Sequence, residues 1–413
     1  MKRVVITGIG IHSCIGDNVQ QVSDNLYHGR SGIGLDINRR EYGYRSHLVG
    51  RVNPVELKNF LTKRERMTFS EEAGFAYVAT EQALKDSNLD KDYFKENEVG
   101  ILYGNDSTSK AIIETHNTII EAKNTTLVGS GAVFQSMNSS VTMNLASIYK
   151  LRGINMTISA ACASSAHAIG LGYLLIKQGL QNMIICGGAQ EINPLGQASF
   201  DALCVFSDRF DEPNRASRPF DANRNGLVPS GGAGTLIFEE MEHALKRGAK
   251  IYGEVIGYGF SSNGDNISQP SSKGSERAIK RAVNDAGIKI KDISYINAHA
   301  TSTLQGDACE AIALDRLFRE YKTPISSTKS MTGHECWMAG ASEIIYTLLM
   351  MKQSFIAPNI NFVKPDEYSK NLNIINNTLE TNLDICLSNS FGFGGTNSSI
   401  LIKKIHNGKS RNY

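Results

Sequence analysis

Ile158-Ser159-Ala160-Ala161-Cys162-Ala163-Ser164-Ser165-Ala166-His167 and Ile325-Ser326-Ser327-Thr328-Lys329-Ser330-Met331-Thr332-Gly333-His334 are two versions of one pattern. In each, an isoleucine leads into small residues, then into one chemically distinctive side chain, Cys162 or Lys329, and after the same interval into a histidine. A helical stretch follows both times, at Ala168–Gln178 and Ala341–Gln353. After it comes a short apolar run of the kind that fills a buried strand, Met183–Gly187 and Ile385–Ser388. A second echo joins the segment Gly8-Ile9-Gly10 to Asn18 with Gly257-Tyr258-Gly259 to Asn266, each placed after an apolar strand-like run. Internal repetition decides architecture before any local assignment does. The chain reads as two related halves, 1–250 and 251–413.

Between these anchors, apolar residues at helical spacing predict helices over Phe69–Ser87, Ser275–Ala286 and Ala308–Phe318, and Val99–Tyr103, Thr235–Phe238 and Tyr295–Ala298 read as strands. Alternating strands and helices in both halves predict an α/β fold with largely parallel sheets covered by helices. At roughly 150 residues per domain, 413 residues suffice for two or three units or one large duplicated one. Hydrophobic residues at 41% and charged residues at 20%, with 38 Gly against 9 Pro, exclude disorder as the main theme. The basic, polar tail after Lys403 reads as a frayed end.

Charge and cysteine content exclude further classes. Lys and Arg total 43 against 41 acidic residues, so the net charge of +2 is too small for the broad positive field of a nucleic-acid binder, and an anionic partner needs a local patch. Seven scattered cysteines without a CxxC pair fit neither a disulfide framework nor a zinc site, and imply a reducing compartment. The start, Met1-Lys2-Arg3 before an apolar run cut by Gly and His, reads as a first strand rather than a signal peptide. No window reaches the ~18 apolar residues of a membrane span, and a soluble cytoplasmic protein is expected. Gly8-Ile9-Gly10 lacks the third glycine of a dinucleotide loop and no P-loop occurs, so these glycines predict tight turns or close packing rather than a nucleotide site.

Cys162, among small residues between a strand and a helix, is placed where a helix N-terminus favours a thiolate. The competing reading is a small buried core residue, which also covers the other six cysteines. His299 and His334 both lie at strand exits. With Lys329 nearby they complete a set that supplies a nucleophile and donors for a developing oxyanion. His167 is assigned to packing.

Four ordered blocks carry a resemblance: Ser159 to His167; Asn297-Ala298-His299-Ala300-Thr301-Ser302-Thr303; Ser327 to His334; and Ser388-Asn389-Ser390-Phe391-Gly392-Phe393-Gly394-Gly395-Thr396-Asn397. Together they resemble the elongating β-ketoacyl-acyl-carrier-protein synthases, types I and II, from Met1 to about Lys404. The resemblance implies a thiolase-like fold, duplicated in five αβαβα layers and forming a homodimer. By the same resemblance Cys162 takes the acyl group from acyl carrier protein, while His299 and His334 hold the thioester carbonyl and the enolate left when malonyl-carrier protein loses CO₂. Lys329 matches the lysine that orients the histidines, Glu343 matches the carboxylate nine residues after the second histidine, and the N–H groups of Cys162 and Phe393 match an oxyanion hole. Phe393 also matches a gating aromatic. Thr301 and Thr303 match hydroxyls that bind the pantetheine arm, and Ser107 falls near a position that limits chain length. No cofactor or metal is implied beyond the phosphopantetheine that the carrier brings.

Departures from the family pattern fall at Ala300 and Leu304, which replace a Gly and a Pro, and at Trp337, which replaces a Gly beside the acyl site. An indole there predicts a reshaped acyl pocket with a flat wall, or else a filler of helix packing. Lys63-Arg64-Glu65-Arg66 is the candidate basic patch for the carrier protein, contacting it through Lys63, Arg64 and Arg66. Thiolases share the fold but use a second Cys near the C-terminus, and Asn389 to Gly394 contains none. Initiating condensing enzymes use Cys, His and Asn where this chain has Cys, His and His. A condensing enzyme of a polyene or polyketide pathway, a non-catalytic chain-length partner and a cysteine hydrolase are the remaining alternatives.

Overall fold

The apolar run near the start forms strand β1, Val4–Ser13, buried at every position. A strand covered on both faces is a continuous series of apolar and small residues rather than an alternation. The computed structural model describes residues 1–405, so most of the tail beyond Lys403 lies outside the described residues. Ten further strands join β1 in one sheet: β2 Gly100–Gly104, β3 Asn155–Ile158, β4 Met183–Gln190, β5 Gly232–Glu240, β6 Gly253–Ser262, β7 Tyr295–Asn297, β8 Pro324–Ser326, β9 Asn373–Ile374, β10 Ile385–Phe391 and β11 Thr396–Lys403. Their spatial order is β9-β8-β7-β10-β11-β6-β1-β5-β4-β2-β3.

This order contains one motif twice. Outward from the middle, β1-β5-β4-β2-β3 repeats as β6-β11-β10-β7-β8, with β9 added at the edge. In the first half β2 is parallel to β3 and β4, and β5 is antiparallel to β4 and β1. In the second, β7 is parallel to β8 and β10, and β11 is antiparallel to β10 and β6. The halves meet where Val4–Ile6 pairs with Gly253–Val255. Each half is therefore a mixed sheet, which corrects the expectation of largely parallel pairing. The reason is plain in the second half, where only Gly392 to Gly395 separates β10 from β11. A turn that short cannot supply the crossover that parallel strands need.

Eight of the helices matter most for the layers and the site: α1 Glu71–Asp86, α2 Ser109–Ala122, α3 Ser140–Tyr149, α4 Ser164–Lys177, α5 Pro194–Ala202, α6 Ser272–Ala286, α7 Leu304–Phe318 and α8 Ala339–Gln353. Helices α1 and α3 cover the outer face of the first half, α6 and α7 the outer face of the second, and α4 and α8 pack together between them. The result is five αβαβα layers. The repeated glycines lie within β1 and β6 rather than after them, and they set the spacing of the outer layers. A Cβ on Gly10 would sit 2.0 Å from the Ala79 carbonyl oxygen of α1, and one on Gly259 would sit 2.0 Å from the Ala278 carbonyl oxygen of α6. Both helices dock against bare backbone. Helix α8 is buried from Ala339 to Met351, as expected for a central layer with no face toward water.

Candidate active site

Strand β3 ends at Ile158 and α4 begins at Ser164. The intervening turn Ala161–Ala163 carries Cys162. Ala161 takes a φ of +46°, in the left-handed region that a side chain disfavours. Such a residue costs on the order of 1–3 kcal/mol and persists only where its surroundings hold it. The Ser164 hydroxyl accepts from Ala160 N–H at 2.8 Å and donates to the Ala161 carbonyl at 2.6 Å. Asp106, in the loop after β2, accepts from the Ala161 N–H and the Ser159 hydroxyl. The turn thrusts the Cys162 sulfur toward its own N–H and that of Phe393, which both point at it.

Cys162 is nevertheless buried, and burial pushes its thiol up to about 12 against the opposing pull of Lys329 and the two amides. Burial thus opposes the thiolate that the helix N-terminus favours.

His299 leaves β7 and His334 follows the short helix Lys329–Thr332, which Gly333 ends at a φ of +68°. The rings stand 5.4 Å apart, centroid to centroid, with their planes at 86°. Burial first and the Lys329 charge second hold both imidazoles well below the ordinary value for His, so both are neutral. Nδ1 of His299 and both ring nitrogens of His334 have no hydrogen-bond partner among the described residues. Lys329 and Glu343, with side chains 2% and 1% exposed, form an ion pair beneath the rings. Burial raises Glu343 to about 8 and Lys329 opposes the rise.

Cys162, His299, His334, Thr301, Thr303 and Phe393 line one cavity of about 380 Å³. The hydroxyls of Thr301 and Thr303 lie 3.0 Å apart on its wall, and Leu304 stands exposed beside them. Phe393 stacks on Phe200 at 6.4 Å.

Other expectations fare differently. Ser107 lies outside the cavity, and the residue of its loop that reaches the nucleophile's turn is Asp106. Trp337 is buried against Cys162, Cys336, Ala161 and Phe200, behind the cavity wall rather than forming it. Lys63 and Arg64 are exposed and Arg66 half-buried on a short helix, Lys63–Arg66, whose start is capped reciprocally by Thr62 and Glu65; none of the three lines the cavity. His167 is fixed by Tyr258 at 2.6 Å and Thr396 at 2.7 Å, a packing role. Glu310, on α7, was not anticipated. It accepts from the backbone N–H groups of His299 at 3.0 Å and Ala300 at 2.7 Å, and from Asn389 at 3.1 Å. Its only signal in the sequence is an acid amid the apolar residues of a helix.

Among the described residues no cluster of His, Cys, Asp or Glu is arranged to hold a metal ion, and no helix is long and apolar enough to cross a membrane. Family models describe the same chain. Residues 1–244 match the beta-ketoacyl synthase N-terminal domain and residues 252–363 its C-terminal domain. The chain is 41% identical to 3-oxoacyl-[acyl-carrier-protein] synthase 1 of Haemophilus influenzae, over 98% of this chain and 99% of that one. A beta-ketoacyl synthase crystal structure from Burkholderia phymatum superposes with a TM-score of 0.93 at 34% identity, covering 98% of this chain and all of the other. A type II PKS ketosynthase solved in complex with its acyl-carrier protein gives 0.87 at 28%, with the same coverage. A nucleophile-bearing turn, a neutral histidine pair and full-length similarity in both sequence and fold thus agree that the chain belongs to the beta-ketoacyl synthase family, acyltransferases of thiolase-like fold.

Proposed function

We propose that this acyltransferase carries out the elongating condensation of fatty-acid synthesis, and that Cys162, His299 and His334 perform it. One observation carries the reading: a single cavity places a cysteine sulfur under two converging amides and opposite two neutral imidazoles whose free nitrogens await a ligand. The Cys162 sulfur attacks the acyl thioester carbonyl, the bond from that carbonyl to the carrier sulfur breaks, and the carrier departs as a thiol bearing the proton that Cys162 gave up. Malonyl-carrier protein then loses CO₂, and the resulting enolate attacks the acyl-enzyme to give 3-oxoacyl-carrier protein and the Cys162 thiolate, which takes up a proton from solvent to restore the thiol. Neutral imidazole N–H donors suit this step because they act on charge that appears only during the reaction. Lys329 and Glu343 act as positioning residues beneath the rings, and Glu310 does so through the backbone of His299. Thr301 and Thr303 supply hydroxyls to the pantetheine arm, which arrives on the substrate, so the protein needs no cofactor of its own.

Purified protein supplied with acyl-carrier and malonyl-carrier protein should yield 3-oxoacyl-carrier protein, with the acyl intermediate mapped to Cys162. Free acid without condensation would identify a hydrolase instead. An inert Cys162 would identify a non-catalytic partner.

The carrier protein docks, in this reading, on Lys63, Arg64 and Arg66, because a net charge of +2 leaves recognition of an acidic partner to a local patch. Reversing Arg64 and Arg66 to Glu should raise KM for carrier-bound substrate and spare free pantetheine thioesters. The protein works as a homodimer in the cytoplasm, readings supported by the open edge of β3, where Met156 is exposed, and by seven free thiols suited to a reducing compartment.

A further inference from the structure

Behind the cavity wall beside Cys162 lies Arg39, entirely buried. Its nearest acid, Asp36, is 3.7 Å away, and its Nε and Nη1 have no hydrogen-bond partner among the described residues. The ring of Tyr44 lies 5.1 Å from the guanidinium carbon. Its Nη2 donates to Oε1 of Gln197, a buried side chain that lines the cavity with Cys162, Phe200 and Cys336. A guanidinium offers donors only, so this contact decides which way the carboxamide faces. Oε1 is turned to Arg39. Nε2 is left with the Glu191 carbonyl at a distant 3.5 Å, and so has a donor to spare. A further donor, Nε1 of Trp337, is buried behind that wall without a partner among the described residues, its indole 5.9 Å from the ring of Phe200. A chamber meant for a plain alkyl chain would be walled by carbon, because buried donors that a hydrocarbon cannot satisfy weaken its binding.

We propose that Gln197, oriented by Arg39 and backed by Trp337, is a specificity-determining residue, and that the enzyme prefers acyl chains carrying an oxygen acceptor remote from the thioester. The acceptor is a hydroxyl, carbonyl or carboxylate oxygen, met by the Gln197 amide. This goes beyond the plain alkyl substrate of fatty-acid elongation while keeping the condensing reaction, and it rests on acylation of Cys162.

The test charges the intact protein with pantetheine thioesters of matched length ending in methyl, hydroxyl or carboxylate, and follows Cys162 acylation by intact mass. At least one oxygen-bearing chain should exceed the methyl-ended chain in kcat/KM by about tenfold or more. The hydroxyl and carboxylate arms tell a neutral acceptor from an anionic one. Gln197→Leu keeps the volume and removes the donor, and should bring the ratio to about one while methyl-ended chains still react. Arg39→Met, where circular dichroism shows it folded, should lose the same preference through KM. A wild-type ratio of one or below in both arms overturns the proposal, as does a preference that survives Gln197→Leu. Acylation by the methyl-ended chain alone upholds the reaction and overturns only the preference, whereas no acylation by any chain overturns both.

Discussion

Lys329 and Glu343 meet where almost no water reaches. Removing one member of a buried pair leaves the other uncompensated, at a cost of about 3–5 kcal/mol. Lys329→Met should therefore lower unfolding stability by about that amount in a denaturant titration. Adding Glu343→Leu should restore most of it, because apolar groups of similar volume replace a buried pair well, without restoring malonyl decarboxylation. A double variant as unstable as the single one would refute this account of the pair. The histidines allow a test by pH. Both are held well below the ordinary value by burial and by Lys329, so they take up protons only at a lower pH than free histidine does. Decarboxylation should stay level as pH falls through about 6.5, the ordinary value, and decline further down; an inflection at 6.5 would mean a charged ring in the resting site. By linkage, their share of the folding stability is present above about 6.5 and is lost as pH falls, since the unfolded histidines protonate first. Cys162, His299, His334 and Lys329 were legible in the sequence because each sits in a local pattern of small residues, three of them just past a strand and His334 just past the short helix that follows one. Glu310, Asp106 and Arg39 were not, because their meaning lies in contacts with segments far away along the chain.

The two central helices come into close contact at Gly340. A Cβ there would stand 2.6 Å from the Ala166 nitrogen and 2.7 Å from its Cβ, so α4 and α8 would have to part. Overpacking of this kind costs about 1–3 kcal/mol. Gly340→Ala should lower Tm accordingly. It should lower kcat more than stability alone explains, because α4 starts at the nucleophile and α8 follows closely after His334. Full kcat with a reduced Tm would show that the helices part without disturbing the site. Helices with apolar spacing, such as Glu71–Asp86, were readable to within a few residues. Strand direction was not, because an apolar run looks the same whether its neighbour is parallel or antiparallel, and the turn between β10 and β11 settles what the run leaves open.

At the scale of the whole molecule, the duplication was the most legible feature, since Cys162 and Lys329 occupy corresponding places after β3 and β8. The edge strand β3 is paired on one side only. The carbonyl of Ile154 accepts from Ile101 of β2 and that of Ile158 from Asn105 just after it, and the alternation of a strand then turns the N–H groups of Asn155 and Thr157 outward. Asn155→Pro removes an outward donor without touching the ladder to β2. In sedimentation velocity it should shift a dimer toward monomer with little change in Tm, and an unchanged dimer would remove β3 from the interface. The division of the site between two halves also bears on how the chain is made. At about 5–20 residues per second, translation leaves on the order of tens of seconds between Cys162 and Phe393. Throughout that interval the thiol lacks the Phe393 amide and, for most of it, both imidazoles. In the proposed mechanism a half-made enzyme leaves acyl carriers untouched, and the nucleophile becomes competent only as synthesis nears its end.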